Sequence, residues 1–329
     1  MKYLRNYFTA LLAVLVLLSL FSCSKDSTEP EEKPINEFNV LVQYLEGTGG
    51  DYINTTAPKI VTAGTVAPNL ADYKVIDIRQ EADYNAKHID GAVNVSLANI
   101  KTYAEANLSK TDKILVACYS GQSAGHAVLA LNLLGYDAYS LKWGMTCADT
   151  SLDRWTSGTS SAYASSFTTT PTALNAAGEY PTLSTGKKTG EEILAARVDA
   201  MLAAGYKSKS ATDVLANPSN YYIVNYFSES DYLGQGNCPP GHIDGAYQYT
   251  PNSSLKTTAQ LKNLPTDKPI VVYCWTGQNS SQVAAFLNVL GYEAYSLGRG
   301  VNGMVYDQLL PGGTKWSASQ ITSVLPLVP

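Results

Sequence analysis

The sequence predicts an α/β protein of two similar domains, each with a parallel sheet flanked by helices. Three observations lead to this prediction. The chain carries an internal repeat, short apolar runs alternate with helical patterns in both copies, and 329 residues suit about two domains. A chain of this length buries a core without disulfide bonds, and its five scattered cysteines do not resemble a dense disulfide framework.

The repeat is clearest in two stretches that recur 156 residues further along the chain. Residues 134–141 read LGYDAYSL and residues 290–297 read LGYEAYSL. At the same offset, CYSGQ at 118–122 matches CWTGQ at 274–278. The distance from the cysteine to the Gly-Tyr pair is therefore the same in both copies.

The bounds of the two copies follow from a third match, HIDGA at 88–92 and again at 242–246. We expect a first domain at 36–150 and a second at 188–320. Residues 151–187 are rich in Ser and Thr, so we expect a linker or a loose surface connection there.

Each copy reads as strands that alternate with helices. The first copy has predicted strands at 74–78, 92–95, 113–117 and 137–140, and the second at 221–224, 246–248 and 269–273. In both copies the repeated cysteine directly follows a strand, and a short glycine loop and a helix come after it.

This order places Cys118 and Cys274 where cysteine chemistry is favoured. The end of a parallel strand next to a helix N-terminus offers unpaired backbone N–H groups, which stabilise a thiolate and an adjacent anion. Gly121 and Gly277 permit the positive φ that turns these amides inward. A buried, inert cysteine is the alternative, but the recurrence of cysteine with a glycine loop disfavours it.

Taken in order, the motifs resemble those of tandem rhodanese-family proteins. They are VIDIR at 75–79, KHIDGA at 87–92, CYSGQS at 118–123 and LKWGM at 141–145. The resemblance implies two five-stranded parallel sheets and a sulfurtransferase that moves a sulfane sulfur from thiosulfate or a persulfide to a thiol or cyanide. It implies a cysteine persulfide and therefore ping-pong kinetics.

The resemblance also assigns the site residues. Cys118 and, by position, Cys274 are the expected nucleophiles, while Asp77 and Arg79 are expected to form an ion pair that supports the loop rather than to touch substrate. The predicted substrate-binding residues are those of the two loops: Tyr119, Ser120, Gly121, Gln122, Ser123, Trp275, Thr276, Gly277, Gln278 and Asn279.

The second copy departs from the family pattern. Asn225-Tyr226-Phe227 replaces the Asp-x-Arg element, and about six extra residues lie around 234–240. We therefore expect Cys118 to be the main nucleophile and Cys274 a second one with reduced activity. Because neither loop carries a cation, thiosulfate would be held by amides alone, and a neutral or organic persulfide donor is the open alternative.

Two other functions are open. A non-catalytic module that carries a persulfide or docks a partner would suit the altered second copy. A phosphatase of the related cysteine-loop type needs a longer loop that ends in arginine, whereas Ser123-Ala124 and Asn279-Ser280 stand here.

The remaining histidines and cysteines are given structural roles or left open. We expect His88 and His242 to cap strands and His126 to be an exposed helical residue. For Cys147 and Cys238 two interpretations have equal weight. In the first, Cys147 resolves a Cys118 persulfide or pairs with Cys238 across the domains; in the second, both are unpaired structural thiols.

Composition excludes several partners. The net charge is −5 and the sequence has no long basic run, so nucleic acid is a poor partner. No CxxC pair indicates zinc, and the predicted chemistry uses no cofactor and no metal. The expected ligands are a small sulfur donor and a thiol acceptor.

The first 23 residues resemble a bacterial lipoprotein signal peptide. Lys2 and Arg5 precede an apolar stretch at 8–21, and Cys23 follows a small residue. The resemblance implies cleavage before Cys23 and lipid attachment to its thiol, so that the domains face the periplasm or cell surface. Residues 24–35 are then a flexible tether; an uncleaved anchor is disfavoured by the short apolar stretch.

Overall fold

The computed structural model describes residues 35–312 and 314–329. The predicted signal peptide, its lipidation residue Cys23 and the predicted tether up to residue 34 lie outside the described residues. Among the helices that are described, none is both long and apolar enough to span a bilayer.

Helices and strands alternate along the chain. The α-helices are α1 (Glu37–Glu46), α2 (Tyr52–Thr55), α3 (Ala63–Val66), α4 (Glu81–Ala86), α5 (Ile100–Asn107), α6 (Gln122–Leu133), α7 (Gly190–Ala203), α8 (Ala211–Ala216), α9 (Glu229–Tyr232) and α10 (Gln278–Val289). The strands are β1 (Ile60–Val61), β2 (Tyr73–Asp77), β3 (His88–Ile89), β4 (Val93–Asn94), β5 (Lys113–Ala117), β6 (Asp137–Leu141), β7 (Phe167–Thr168), β8 (Ser208–Lys209), β9 (Tyr222–Asn225), β10 (His242–Ile243), β11 (Tyr247–Gln248), β12 (Ile270–Tyr273), β13 (Ala294–Leu297) and β14 (Leu327–Val328).

The two repeats build the same sheet. The first has the strand order β1-β6-β5-β2-β4 and the second has β8-β13-β12-β9-β11, with every neighbouring pair parallel. The prediction of two five-stranded parallel sheets is therefore confirmed. The first strand of each sheet, β1 or β8, has only two residues, which is too short for an apolar pattern to reveal it.

Each central strand is buried on both faces. In β5, Ile114 and Val116 face one apolar cluster while Leu115 and Ala117 face another, because successive side chains point to opposite sides of a strand. The strand accordingly reads as a continuous apolar run, which is typical of a parallel sheet covered by helices.

Helices α6 and α10 pack directly against each other between the two sheets. At Gly125 of α6, an added Cβ would lie 2.2 Å from Ser281 Oγ and 2.7 Å from Gln278 O of α10, so the helices approach very closely there. Both helices are buried almost all round, and in α10 this includes polar residues such as Gln282 and Asn288. The two repeats therefore share one core, which includes Leu131 and Leu287.

The segment at 151–187 is not a loose connection. Its Trp155 is 0% exposed, and its strand β7 pairs antiparallel with β10 of the second repeat, Phe167 lying opposite Ile243. The expected linker or surface connection is therefore anchored at Trp155 and at β7. A composition rich in Ser and Thr carries no information about the few apolar residues that anchor such a segment.

The C-terminal segment returns to the first repeat. Strand β14 pairs antiparallel with β3, Leu327 lying opposite Ile89. Trp316 lies within the predicted second domain, yet its ring stacks on Trp155 at 5.8 Å between centroids and contacts Trp143 at 5.1 Å. Each repeat is therefore completed by a strand from outside its own sheet.

Candidate active site

Cys118 lies directly after β5 and is surrounded by the first turn of α6. Its Sγ accepts hydrogen bonds from Gly121 N at 3.1 Å and from Ala124 N at 3.3 Å. Gly121 has φ +83°, which turns its N–H toward the sulfur, as the sequence predicts. The side chain is 1% exposed, so the sulfur sits beneath its loop.

Cys274 occupies the equivalent place after β12. Its Sγ accepts from Ser280 N at 3.3 Å, and the thiol also lies 3.5 Å from Ser280 Oγ, to which it donates. Gly277 has φ +77° and is the counterpart of Gly121. Cys274 thus has one backbone donor where Cys118 has two, and it is 3% exposed.

A second loop, called the closing loop, lies over the carbonyl group of each cysteine; it comprises residues 141–145 in the first repeat and 297–301 in the second. Met145 N donates to Cys118 O at 2.7 Å. An added Cβ would lie 2.4 Å from Cys118 O at Gly144 and 2.0 Å from Cys274 O at Gly300, and both glycines have positive φ. Only glycine lets these closing loops approach so closely.

Gln122 and Gln278, predicted to bind substrate, reach into the opposite repeat. Gln122 Oε1 accepts from Arg299 N at 2.8 Å, and Gln278 Oε1 accepts from Trp143 N at 3.2 Å. Gln122 Nε2 also donates to Ser120 Oγ at 3.0 Å. Each cysteine loop is therefore joined to the closing loop of the other repeat, a contact that the sequence did not predict.

A cavity of about 470 Å³ lies beside the Cys118 loop, between the two repeats. The first repeat contributes residues of the cysteine loop, and the second contributes residues around β8 and its closing loop. Among the lining residues are Tyr119, Ser120, Ser123, Tyr206, Lys209 and Arg299.

A second cavity of about 310 Å³ lies beside the Cys274 loop and has the reciprocal composition. Here the second repeat contributes the loop, and the first contributes residues around β1 and its closing loop. Among the lining residues are Cys274, Trp275, Asn279, Pro58, Ile60 and Lys142. Cys274 lines its own cavity directly, whereas in the first repeat loop neighbours of Cys118 do so.

Asp77 and Arg79 form the ion pair predicted from the sequence. Arg79 Nη2 lies 2.6 Å from Asp77 Oδ2, and both side chains are 1% exposed. The guanidinium also lies 5.9 Å from the ring centroid of Tyr119 in the cysteine loop. The pair therefore supports the loop through Tyr119.

The second repeat replaces this pair with uncharged contacts. Asn225 Nδ2 donates to Tyr273 OH at 2.8 Å, and Phe227 stacks on Trp275 with centroids 4.7 Å apart. An aromatic stack thus takes the place of the cation–π contact of the first repeat.

Other loop residues hold the backbone as well as bordering the cavities. Tyr119 OH donates to the carboxylate of Asp83, and burial followed by this hydrogen bond raises the pKa of Tyr119. Ser120 O accepts from Trp155 Nε1 at 3.1 Å. Thr276 Oγ1 accepts from the next-but-one backbone N–H of its loop at 3.3 Å.

His126 is buried rather than exposed, so that expectation was wrong. It is 2% exposed in α6, and burial lowers the pKa of His126 to about 4. Its Nε2 has no hydrogen-bond partner among the described residues. The side chain faces α7 and Tyr206, on the side of α6 that is turned away from its sheet. Because this side of α6 is covered as well, the histidine is buried.

His88 and His242 make the structural contacts that were expected. His88 Nδ1 lies 2.9 Å from Tyr84 O, and His242 Nδ1 lies 2.7 Å from Tyr232 O. Each imidazole also stacks on the ring of the same tyrosine. Both histidines belong to short strands of their own, β3 and β10, which receive β14 and β7.

Cys147 and Cys238 are free, buried thiols in different apolar clusters. Burial raises the pKa of each to about 12. The hypothesis that they pair across the domains was wrong, and the structure agrees with the alternative of two structural thiols. Within the described part of the chain, no group of three or more metal-ligating side chains is assembled.

Comparison with known families identifies both repeats. The model of the rhodanese-like domain matches residues 62–147 and 216–306, which together make up more than half of the sequence. The chain belongs to the rhodanese-like domain family. The two matches cover the sheets except for their edge strands β1 and β8, and they contain both cysteine loops of this rhodanese-like protein.

Two curated relatives are similar to part of this rhodanese-like chain. Thiosulfate sulfurtransferase PspE of Escherichia coli (strain K12) is 36% identical over 70 residues, which cover 21% of this chain and 67% of the relative. Thiosulfate sulfurtransferase GlpE of Pseudomonas fluorescens (strain SBW25) is 39% identical over 71 residues, 21% of this chain and 64% of the relative. The matched stretches thus span about two thirds of each relative.

Solved structures of rhodanese-like proteins also resemble the chain. A rhodanese-related protein from Thermoplasma volcanium has 22% identity and a TM-score of 0.26, covering 27% of this chain and 87% of that one. A rhodanese-like domain protein from Staphylococcus aureus has 20% identity and a TM-score of 0.26, covering 27% and 89%.

Proposed function

We propose that the protein is a sulfurtransferase that carries a sulfane sulfur as a cysteine persulfide. The observation that carries this proposal is the pair of backbone N–H groups, from Gly121 and Ala124, that donate to Cys118 Sγ at the start of α6. Such donors stabilise an anionic sulfur, and the arrangement recurs in part at Cys274. Similarity to two proteins named thiosulfate sulfurtransferases supports thiosulfate as a donor.

The reaction is a double displacement. The cysteine thiolate attacks the outer sulfur of thiosulfate and forms a new S–S bond, while the S–S bond of thiosulfate breaks and its electron pair leaves with sulfite. A thiolate or cyanide acceptor then attacks the outer sulfur of the persulfide, and the cysteine thiolate is released. Ping-pong kinetics follow, because the first product departs before the acceptor reacts.

Different observations support each cysteine as a nucleophile. Cys118 has two backbone donors where Cys274 has one, which supports Cys118 as the principal site. Cys274 lines its cavity directly, which supports access for a donor. We propose that both react, with Cys118 the more active.

Sulfite release separates these roles. We expect release from thiosulfate and from an organic persulfide by the wild type, a reduced rate for Cys118→Ser, a smaller reduction for Cys274→Ser, and none for the double variant. Intact mass after incubation should show one added sulfur atom per reactive cysteine, removed by cyanide. Equal rates in all four proteins would exclude catalysis by these cysteines.

A non-catalytic persulfide carrier is the second candidate. It is favoured by the burial of the two sulfur atoms, which are on side chains only 1% and 3% exposed. A carrier would gain sulfur in the mass measurement but would not turn over with cyanide. Continuous thiocyanate formation under excess donor and acceptor would rule it out.

We propose that the chain is exported and anchored to the cell envelope by lipid on Cys23. Support comes from the sequence of residues 1–23, in which a basic start and an apolar stretch precede the cysteine. Labelling with a radioactive fatty acid tests this. Wild type should incorporate label and Cys23→Ser should not; an unlabelled wild type would contradict the proposal.

A further inference from the structure

Arg299 stands where the first repeat has a tryptophan. The closing loops 141–145 and 297–301 are equivalent, so Trp143 and Arg299 share a position; their φ values are +69° and +63°, and the N–H of each donates to the glutamine of the opposite cysteine loop. Trp143 fills an apolar cluster with Trp155. At the same place the second repeat carries a cation.

The Arg299 guanidinium is incompletely paired. Its Cζ lies 5.5 Å from the ring centroid of Trp155, and its Nη1 is buried with no hydrogen-bond partner among the described residues. Burial lowers the pKa of Arg299, while the charge of Asp153 opposes that shift. The Asp153 carboxylate instead accepts from two backbone N–H groups, and among the described residues no ion pair joins it to Arg299.

Arg299 borders the cavity of about 470 Å³ beside the Cys118 loop, and so does Lys209 at the end of β8. Both cations belong to the second repeat. Hydroxyl groups from both repeats, including those of Ser120, Ser123 and Ser208, complete the polar wall. Among the described residues that line this cavity there is no Asp or Glu. Asp153 and Asp213 act electrostatically on Arg299 and Lys209 from outside it, and the Lys209 ammonium lies 4.7 Å from the ring centroid of Tyr295.

We propose that Arg299 binds a sulfur oxyanion in the cavity beside Cys118 and thereby sets the donor specificity of that site. The inference rests on the proposed function and specifies its substrate class. Attack of a thiolate on thiosulfate brings together charges of −1 and −2, so the cavity needs cations as well as amides. The cysteine loops themselves carry no cation, and the second repeat supplies Arg299 to the cavity.

Direct binding tests the proposal without turnover. In a protein carrying Cys118→Ser and Cys274→Ser, thiosulfate and sulfite are titrated separately by calorimetry; the first represents the donor and the second the departing product. We expect Arg299→Gln to weaken one binding site about 10-fold or more for both anions, since a charge-assisted hydrogen bond is lost. Arg299→Gly, which suits the positive φ, should do the same.

A matched control removes a positive charge elsewhere. Lys113 is exposed at the start of β5, at the opposite end of the strand from Cys118, and Lys113→Gln should leave both affinities unchanged. The proposal is overturned if neither anion binds the protein that carries only Cys118→Ser and Cys274→Ser. It is also overturned if adding Arg299→Gln or Arg299→Gly to that protein leaves the affinity for both anions unchanged.

Turnover distinguishes this inference from the proposed function. In a Cys274→Ser protein, Arg299→Gln should raise the KM for thiosulfate about 10-fold or more, with partial recovery in Arg299→Lys. Sulfur transfer with unchanged anion binding in the Arg299 variants would overturn only the inference. If anion binding depends on Arg299 but the wild type transfers no sulfur, only the proposed function is overturned.

Discussion

Asp77 and Arg79 form an ion pair with both side chains buried, and the second repeat has replaced both partners with uncharged residues. The pair lies at the end of β2, where Arg79 Nη2 also donates to Lys87 O. A buried charge pair is costly to assemble but more costly to break. The two repeats thus offer a natural comparison of two ways to support a cysteine loop.

Removing only Arg79 should destabilise the protein strongly. We expect Arg79→Ala to lower the free energy of unfolding by about 3–5 kcal/mol, because the Asp77 carboxylate is left buried and unpaired. The double variant Asp77→Asn with Arg79→Phe copies the second repeat and should cost less than Arg79→Ala. Denaturant unfolding measures both; a double variant less stable than Arg79→Ala would refute this account.

The glycines of the closing loops should tolerate no side chain. Gly144→Ala and Gly300→Ala should each cost more than about 3 kcal/mol and abolish sulfur transfer by the cysteine of the same repeat, since the added Cβ meets a backbone carbonyl oxygen. Gly135→Ala is the control, because Gly135 has φ +83° but open space around it, and it should cost about 1 kcal/mol. Thermal unfolding and single-cysteine activity assays check this; equal effects at all three glycines would show that φ alone decides.

The glutamine contacts should stabilise the association of the repeats. Gln278→Ala leaves Trp143 N without its acceptor in a buried place, so we expect a loss of about 1–3 kcal/mol. Gln122→Ala should have a similar effect through Arg299 N. Gln43→Ala, at an exposed site on α1, should stay within about 0.5 kcal/mol of wild type. Unchanged stability in both loop variants would show that these contacts do not stabilise the association of the repeats.

His126 should make the fold sensitive to acid. Its pKa is about 4 in the folded state, against an ordinary value of 6.5, because burial disfavours the imidazolium. Between pH 6.5 and 4 the unfolded chain therefore binds a proton that the folded chain does not, and stability falls as pH falls. Between pH 7 and pH 4.5, the free energy of unfolding of His126→Gln, which copies Gln282 of the second repeat, should fall by roughly 2–3 kcal/mol less than that of the wild type. Unfolding curves at the two pH values decide the matter, and identical losses would contradict it.

The sequence predicted the repeated part of the fold well. The predicted strand at 113–117 is β5 residue for residue, and the predicted strand at 74–78 is shifted by one residue from β2. These strands are continuous apolar runs, so their pattern alone identifies them. The repeat then located the second sheet, since each prediction could be checked 154 or 156 residues away.

What the sequence missed depends on contacts between the repeats. His126 was misplaced although α6 is apolar all round, a pattern that indicates burial on every face and could have corrected the prediction. Arg299 and Lys209 could not be assigned to the Cys118 cavity, because their positions depend on how two domains pack. Trp155 and Trp316 lie in segments without a repeat partner, so self-comparison gave no information about them.

The strand β14 has a consequence for the order in which the protein matures. The edge of the first domain at β3 pairs with β14, which is synthesised after the whole second repeat, whereas β10 pairs with β7 of the connecting segment, which is made before it. The domain synthesised first is therefore finished last. On the ribosome, Trp143 and Trp155 lack the covering ring of Trp316 until that residue has emerged, so chaperone protection is valuable throughout the synthesis of the second repeat.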